Sequence, residues 1–205
     1  KMILVLTLLS LAPFLLVMVT SFTRIIVVLH FVRSALGTQT SPPNQVLIGI
    51  ALFLTLFIMA PVMTQINKDC IQPYDKGKLT QEEALNAGLK PIRKFMFEQT
   101  NRKDIRLFME IEKQSNDVSI EKEDEIPTLV LIPAFMISEL RIAFIIGFLI
   151  YLPFIVIDMV VASTLMSMGM MMLPPTTISM PFKILLFVLA DGWNLVIGQL
   201  VKTFY

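Results

Sequence analysis

The sequence predicts an all-α membrane protein made of two long helical hairpins separated by a polar helical insert. Three observations carry that prediction. The 205 residues are 55% hydrophobic and only 16% charged, with a mean hydropathy of +0.74, whereas ordinary soluble domains are about 45–50% apolar and about 25% charged. Of the 17 basic and 16 acidic residues, 11 and 13 lie between Asn67 and Ile126, and a water-soluble chain of this size cannot hide the uncharged surface left elsewhere. Each apolar half is also broken by a double proline, Pro42-Pro43 in the first and Pro174-Pro175 in the second.

The blocks divide the chain into residues 1–66, a first apolar hairpin, 67–126, the insert, and 127–205, a second apolar hairpin with a methionine-rich loop. A bilayer crossing takes about 20 helical residues. Met2 to Thr23 carries no charge over 22 residues and Val46 to Ile66 none over 21, so both qualify. The second half fits less simply. Thr128 to Ile157 contains Glu139 and Arg141, Met159 to Leu173 is a short block of 15, and Ile184 to Val201 is interrupted by Asp191. Proline lacks the amide hydrogen and disfavours helix in the residue before it, so Pro42-Pro43 and Pro174-Pro175 read as hairpin apices. Two such hairpins around one insert hint at an internal repeat of the kind found in transporters.

Within the insert, Thr80 followed three residues later by Glu83 is a capping box. Ile92, Phe95 and Met96, then Ile105, Phe108 and Met109, recur at helical spacing and predict amphipathic helices near Gln81–Gln99 and Arg102–Lys113. Such helices cover a small core or present a partner surface. The run Glu121-Lys122-Glu123-Asp124-Glu125 has no apolar face and reads as a solvated loop. Arg33 and Lys183 stand at the Pro-Pro loops with no acid close by in sequence, which places both apices on the cytoplasmic side and the insert outside. The chain starts at Lys1, which leaves room for a removed signal peptide upstream.

Catalytic chemistry finds no support. His30 is the only histidine and Cys70 the only cysteine, which excludes His-His zinc motifs and internal disulfides. G-x-S-x-G, the phosphate-binding G-x-x-x-x-G-K-[ST] and C-x-x-C are absent. The reading is therefore of a non-enzyme without metal or cofactor. A net charge of +1 offers no basic footprint for nucleic acid. His30, near a helix end, reads as a histidine bonded to a carbonyl or water.

Charges inside the apolar blocks say more, because a charged side chain at mid-bilayer costs at least about 2.5–3.5 kcal/mol. Arg24, Arg141 and Lys183 are balanced by Glu139, Asp158 and Asp191. Glu139 and Arg141 are two apart and so point to different sides of a helix; these charges either find partners on other helices or subunits or snorkel to water. The run Ser167-Met168-Gly169-Met170-Met171-Met172-Leu173-Pro174-Pro175 is the other oddity. Its methionines are either ordinary packing or, being flexible and polarizable, a deformable apolar constriction of the kind that closes pores by dewetting.

Three groups of residues carry a family resemblance. Ser21-Phe22-Thr23-Arg24-Ile25-Ile26-Val27-Val28-Leu29, Ala35-Leu36-Gly37-Thr38-Gln39 and Ser41-Pro42-Pro43-Asn44-Gln45-Val46-Leu47-Ile48-Gly49 form the first. Ile132-Pro133-Ala134-Phe135-Met136-Ile137-Ser138-Glu139-Leu140 is the second, and residues 166–175, Pro181-Phe182-Lys183 and Asp191-Gly192-Trp193-Asn194 are the third. Together they resemble the FliP family of flagellar type III export-gate proteins, with the virulence-secretion relatives further off. The resemblance implies that about five copies, with FliQ and FliR, assemble into a helical multi-subunit pore that passes unfolded flagellar proteins across the bacterial inner membrane. It further implies FlhB, FlhA and FliO as partners, and a position in the basal body largely on the periplasmic side of the membrane plane. Its pore gasket maps onto Met170, Met171 and Met172 with Met168 adjacent, and its charged positions onto Glu139 and Lys183. The alternative the residues leave open is a self-contained channel or transporter for ions or small solutes.

Overall fold

The computed structural model describes Phe14 and residues 17–113, 126–170 and 172–205. Most of the expected first span at 2–23, the acidic run 121–125 and Met171 lie outside the described residues. Among the described residues the secondary structure is helical, without a strand: α1 (Phe22–Ala35), α2 (Asn44–Ile66), α3 (Gln81–Gln99), α4 (Arg102–Lys113), α5 (Thr128–Ser167), α6 (Pro175–Leu189) and α7 (Gly192–Lys202). After α2 the chain continues through a π-helical turn, Asn67–Ile71, and one more α-turn, Gln72–Asp75. Two helical runs, Asn44–Asp75 and Thr128–Ser167, are long and apolar enough to cross a membrane. The pair α6 and α7, bent by 65°, meets the same test only when taken together.

The chain forms two compact units, residues 1–23 with 55–141 and residues 24–54 with 142–205. In the first unit the capping box at the start of α3 forms as the sequence implies, with the Thr80 hydroxyl accepting from the Glu83 amide and the Glu83 carboxylate accepting from the Thr80 amide. The boundaries of α3 and α4 fall where periodicity puts them. Phe95 and Met96 from α3, Ile105 and Met109 from α4, and Leu131, Ala134 and Phe135 from α5 are buried, and the rings of Phe95 and Phe135 meet edge to face at 6.0 Å. Arg93 donates to the Ile126 carbonyl at 2.6 Å and to the Thr128 hydroxyl, tying α3 to the start of α5.

In the second unit the core consists of Val32, Ala35, Leu36, Phe154 and Phe187, with Ile150, Tyr151, Ile157, Trp193 and Val196 packed on it. Gly147 lets α1 approach α5: a Cβ there would lie 2.4 Å from the ring of Phe31. Arg33 fastens the Pro42-Pro43 turn, donating to the Asn44 side chain at 2.5 Å and to the Pro42 carbonyl at 3.3 Å.

The two apolar blocks 128–157 and 159–173, separated in sequence by Asp158, share one helix: α5 runs unbroken from Thr128 to Ser167 over 40 residues. The helix need not break because the Asp158 carboxylate is matched by donors from α6.

Candidate functional site: a methionine loop between paired helices

The methionine loop follows from how α5 ends and α6 begins. The last turn of α5 is closed by amides of Met168, Gly169 and Met170 bonding back to Thr164, Met166 and Leu165. Gly169 has φ +74, the left-handed conformation that commonly ends a helix and that glycine takes without penalty. Pro174 then caps α6 and Pro175 occupies its first turn, where the missing amide hydrogen costs nothing. Between these two stops Met168 is 68% exposed, Met170 43% and Met172 99%. Such exposure of large apolar side chains on a loop is not core packing within one chain.

The structure sorts the candidate charges into different environments. Lys183 on α6 is 2% exposed and donates to Asp158 on α5 at 2.5 Å; Ser179, one turn earlier and fully buried, donates to the other oxygen of the same carboxylate, also at 2.5 Å. Arg141 bonds Asp104 at 2.5 Å, and Asp104 also accepts from Ser138 at 2.6 Å, whose oxygen in turn accepts from the Asn101 amide at 2.9 Å. Arg24 is 1% exposed, lies 3.8 Å above the Phe204 ring and donates to the Thr203 carbonyl and hydroxyl at 3.1 and 3.0 Å. Glu139 is fully buried.

Three expectations change accordingly. Lys183 is not an acid-free cation at a loop, since Asp158 reaches it from the neighbouring helix, so it carries no orientation signal. The three-against-three balance fails in detail, because Arg141 takes its partner from α4 in the charged segment. Asp191 begins α7 in a left-handed conformation with φ 50, at the bend between α6 and α7, and accepts from Asn194 at 3.0 Å. It shapes a turn there. Partners for Arg141, Asp158 and Lys183 are found within one chain, so their pairing is no argument for assembly.

His30 makes a 2.9 Å contact between its Nδ1 and Arg33. Asp104, Ser138 and Ser179 were not singled out by sequence; Ser179 carried the only usable signal, lying four residues before Lys183 and so on its face of the helix. Among the described residues no cluster of three or more His, Cys, Asp or Glu side chains could hold a metal.

Long apolar helices, a buried lysine paired with an aspartate on the neighbouring helix and a polar helical segment define the class: an all-α membrane protein. The chain belongs to the FliP family, whose pattern it matches over residues 5–200. It is 54% identical to the flagellar biosynthetic protein FliP of Bacillus subtilis (strain 168), over all of this chain and 91% of the relative. It is 49% identical to the protein of that name from Pectobacterium carotovorum subsp. carotovorum, over 98% and 76%, and 48% identical to that of Aquifex aeolicus (strain VF5), over 100% and 85%.

Proposed function

We propose that this chain is a core subunit of the flagellar type III export gate, and that Met168, Met170, Met171 and Met172 from several copies close its pore. One observation carries the reading: Met168, Met170 and Met172 stand exposed on a loop held between two stopped helices. Methionine has three rotatable bonds and no branching, so a ring of such side chains can meet when the pore is empty and re-pack around a passing chain. Sealing matters because each charge leaking across 100 mV dissipates about 2.3 kcal/mol. About five copies, with FliQ and FliR, would form the channel in the inner membrane, with FlhB, FlhA and FliO as neighbours and unfolded flagellar proteins as cargo. In this reading residues 1–66 and 127–205 are the pore-building hairpins, 67–126 is the periplasmic insert, and the gate stands largely on the periplasmic side of the membrane plane. Glu139, fully buried, is assigned a part in assembly or gating from the charged positions of the family. The chain performs no chemistry of its own.

Complexes purified in mild detergent from cells that make this protein naturally should contain several copies together with two other small membrane proteins by native mass spectrometry. In the same cells, Met170, Met171 and Met172 all changed to Ala should leave the complex intact and raise resting ion conductance. A monodisperse monomer, or an intact variant complex with background conductance, overturns the proposal.

A further inference from the structure

We infer that Asp158, Ser179 and Lys183 form a clasp that sets the resting position of the methionine loop; this deepens the gate reading above and rests on it. Ser179 and Lys183 lie one turn apart on one face of α6, and each donates to a different oxygen of the single Asp158 carboxylate on α5. One turn further from the loop on both helices, Phe154 and Phe187 face each other with ring centres 6.3 Å apart. Of these two contacts the polar one lies nearer the loop. The amides of Met168, Gly169 and Met170 bond back to the end of α5, while Pro174 and Pro175 belong to the start of α6. The two ends of the methionine loop are therefore carried by different helices, and how α6 lies against α5 sets how far apart they stand.

The burial pattern makes this rung suited to holding and releasing. Lys183 is 2% exposed, so parting the helices strands its ammonium unless water follows it in, which favours the closed arrangement. The Asp158 side chain is 27% exposed, so water already touches one edge of the carboxylate. Once a passing chain spreads the hairpin, water entering at that edge hydrates both charges and weakens the clasp; when the chain has passed, the pair re-forms. The three residues position the seal and do not line it.

The test uses cells with an otherwise intact export apparatus, read out by complex recovery and by resting ion conductance. Asp158→Asn combined with Lys183→Met leaves no buried unpaired charge, and this double variant should assemble at normal yield yet conduct at least about tenfold above wild type, a shift of about 1.4 kcal/mol in the open population. Asp158→Glu with Lys183 intact keeps the charge pair and should leave conductance near the wild-type level. The alanine variant of the three gate methionines runs in parallel and separates the two readings. If it leaks and the assembled double variant does not, the clasp is wrong and the gate reading stands; if it does not leak, both fall. A double variant that does not assemble makes the cluster a folding element and likewise overturns the clasp.

Discussion

Asp104→Ala should loosen α4 more than Arg141→Lys, although both alter the same ion pair. Asp104 is 3% exposed and accepts from the hydroxyl of Ser138, itself 1% exposed. Removing the carboxylate leaves that buried hydroxyl without an acceptor, which costs about 1–3 kcal/mol. The Arg141 side chain is 45% exposed, so it turns to water when the acid is gone and the lost ion pair adds only about 0–1 kcal/mol; Arg141→Lys keeps a cation beside the Asp104 carboxylate, which is 4% exposed and which Arg141→Ala would strand. The sum is about 1–4 kcal/mol for Asp104→Ala, against about 0–1 kcal/mol for Arg141→Lys. Amide hydrogen exchange of α4, followed in the full chain by mass spectrometry, reads the local opening directly. Exchange at Ile105 and Met109 should quicken by about 5- to 700-fold in Asp104→Ala and by less than about fivefold in Arg141→Lys, taking about 1.4 kcal/mol per factor of ten. Asp104→Asn retains an oxygen for Ser138 and should fall between them. An Arg141→Lys effect equal to or larger than that of Asp104→Ala would refute the assignment of energy to the buried hydroxyl.

Two further outcomes are expected. The Thr80 amide, and then the Thr80 hydroxyl, hold the Glu83 carboxyl below the usual glutamate range. A depressed folded value stabilises α3 above the ordinary glutamate pKa and withdraws that support as pH falls through the folded value, so the protection of first-turn amides of α3, taken against the intrinsic exchange rate at each pH, should fall on acidification, and Glu83→Ala should abolish that change in protection. Gly147→Ala sets a Cβ 2.4 Å from the Phe31 ring and should lower stability by about 1–3 kcal/mol; Phe31→Leu should recover part of it in a double-mutant cycle by thermal unfolding in detergent, and purely additive effects would count against the contact.

What could be read from sequence followed from how local the determinant was. The start of α3 was legible because a capping box is complete within four residues, and α3 and α4 were legible because each shows one apolar face at helical spacing. The surroundings of Asp158 were not. It reads as a lone charge between apolar blocks until Ser179 and Lys183, some twenty residues on, arrive from another helix to satisfy it. Arg141 was found as a charge needing an answer, but its answer, Asp104, was hidden among the many charges of 67–126. Asp191 was misjudged for a different reason: its role depends on a backbone angle, φ 50, and no residue pattern distinguished a left-handed aspartate at a bend from one seeking a cation. The methionine loop was legible as composition and as a break, while the exposure of its side chains came only with the fold.

The length of α5 bears on the life of the protein in the cell. Forty helical residues extend about 60 Å, and even tilted by about 40° they rise about 46 Å, against a hydrocarbon layer of about 30 Å. Only 11% of its most apolar stretch is buried by the chain's own residues. The start of α5 is covered by α3 and α4, with Leu131, Ala134 and Phe135 buried, so in a solitary copy it is the remaining apolar length that lacks a protein neighbour, and such a surface is what membrane quality control acts on. Cellular abundance should then track the supply of whatever covers that surface rather than the rate of synthesis, so that copies made in excess are cleared and the steady-state level becomes a count of finished assemblies.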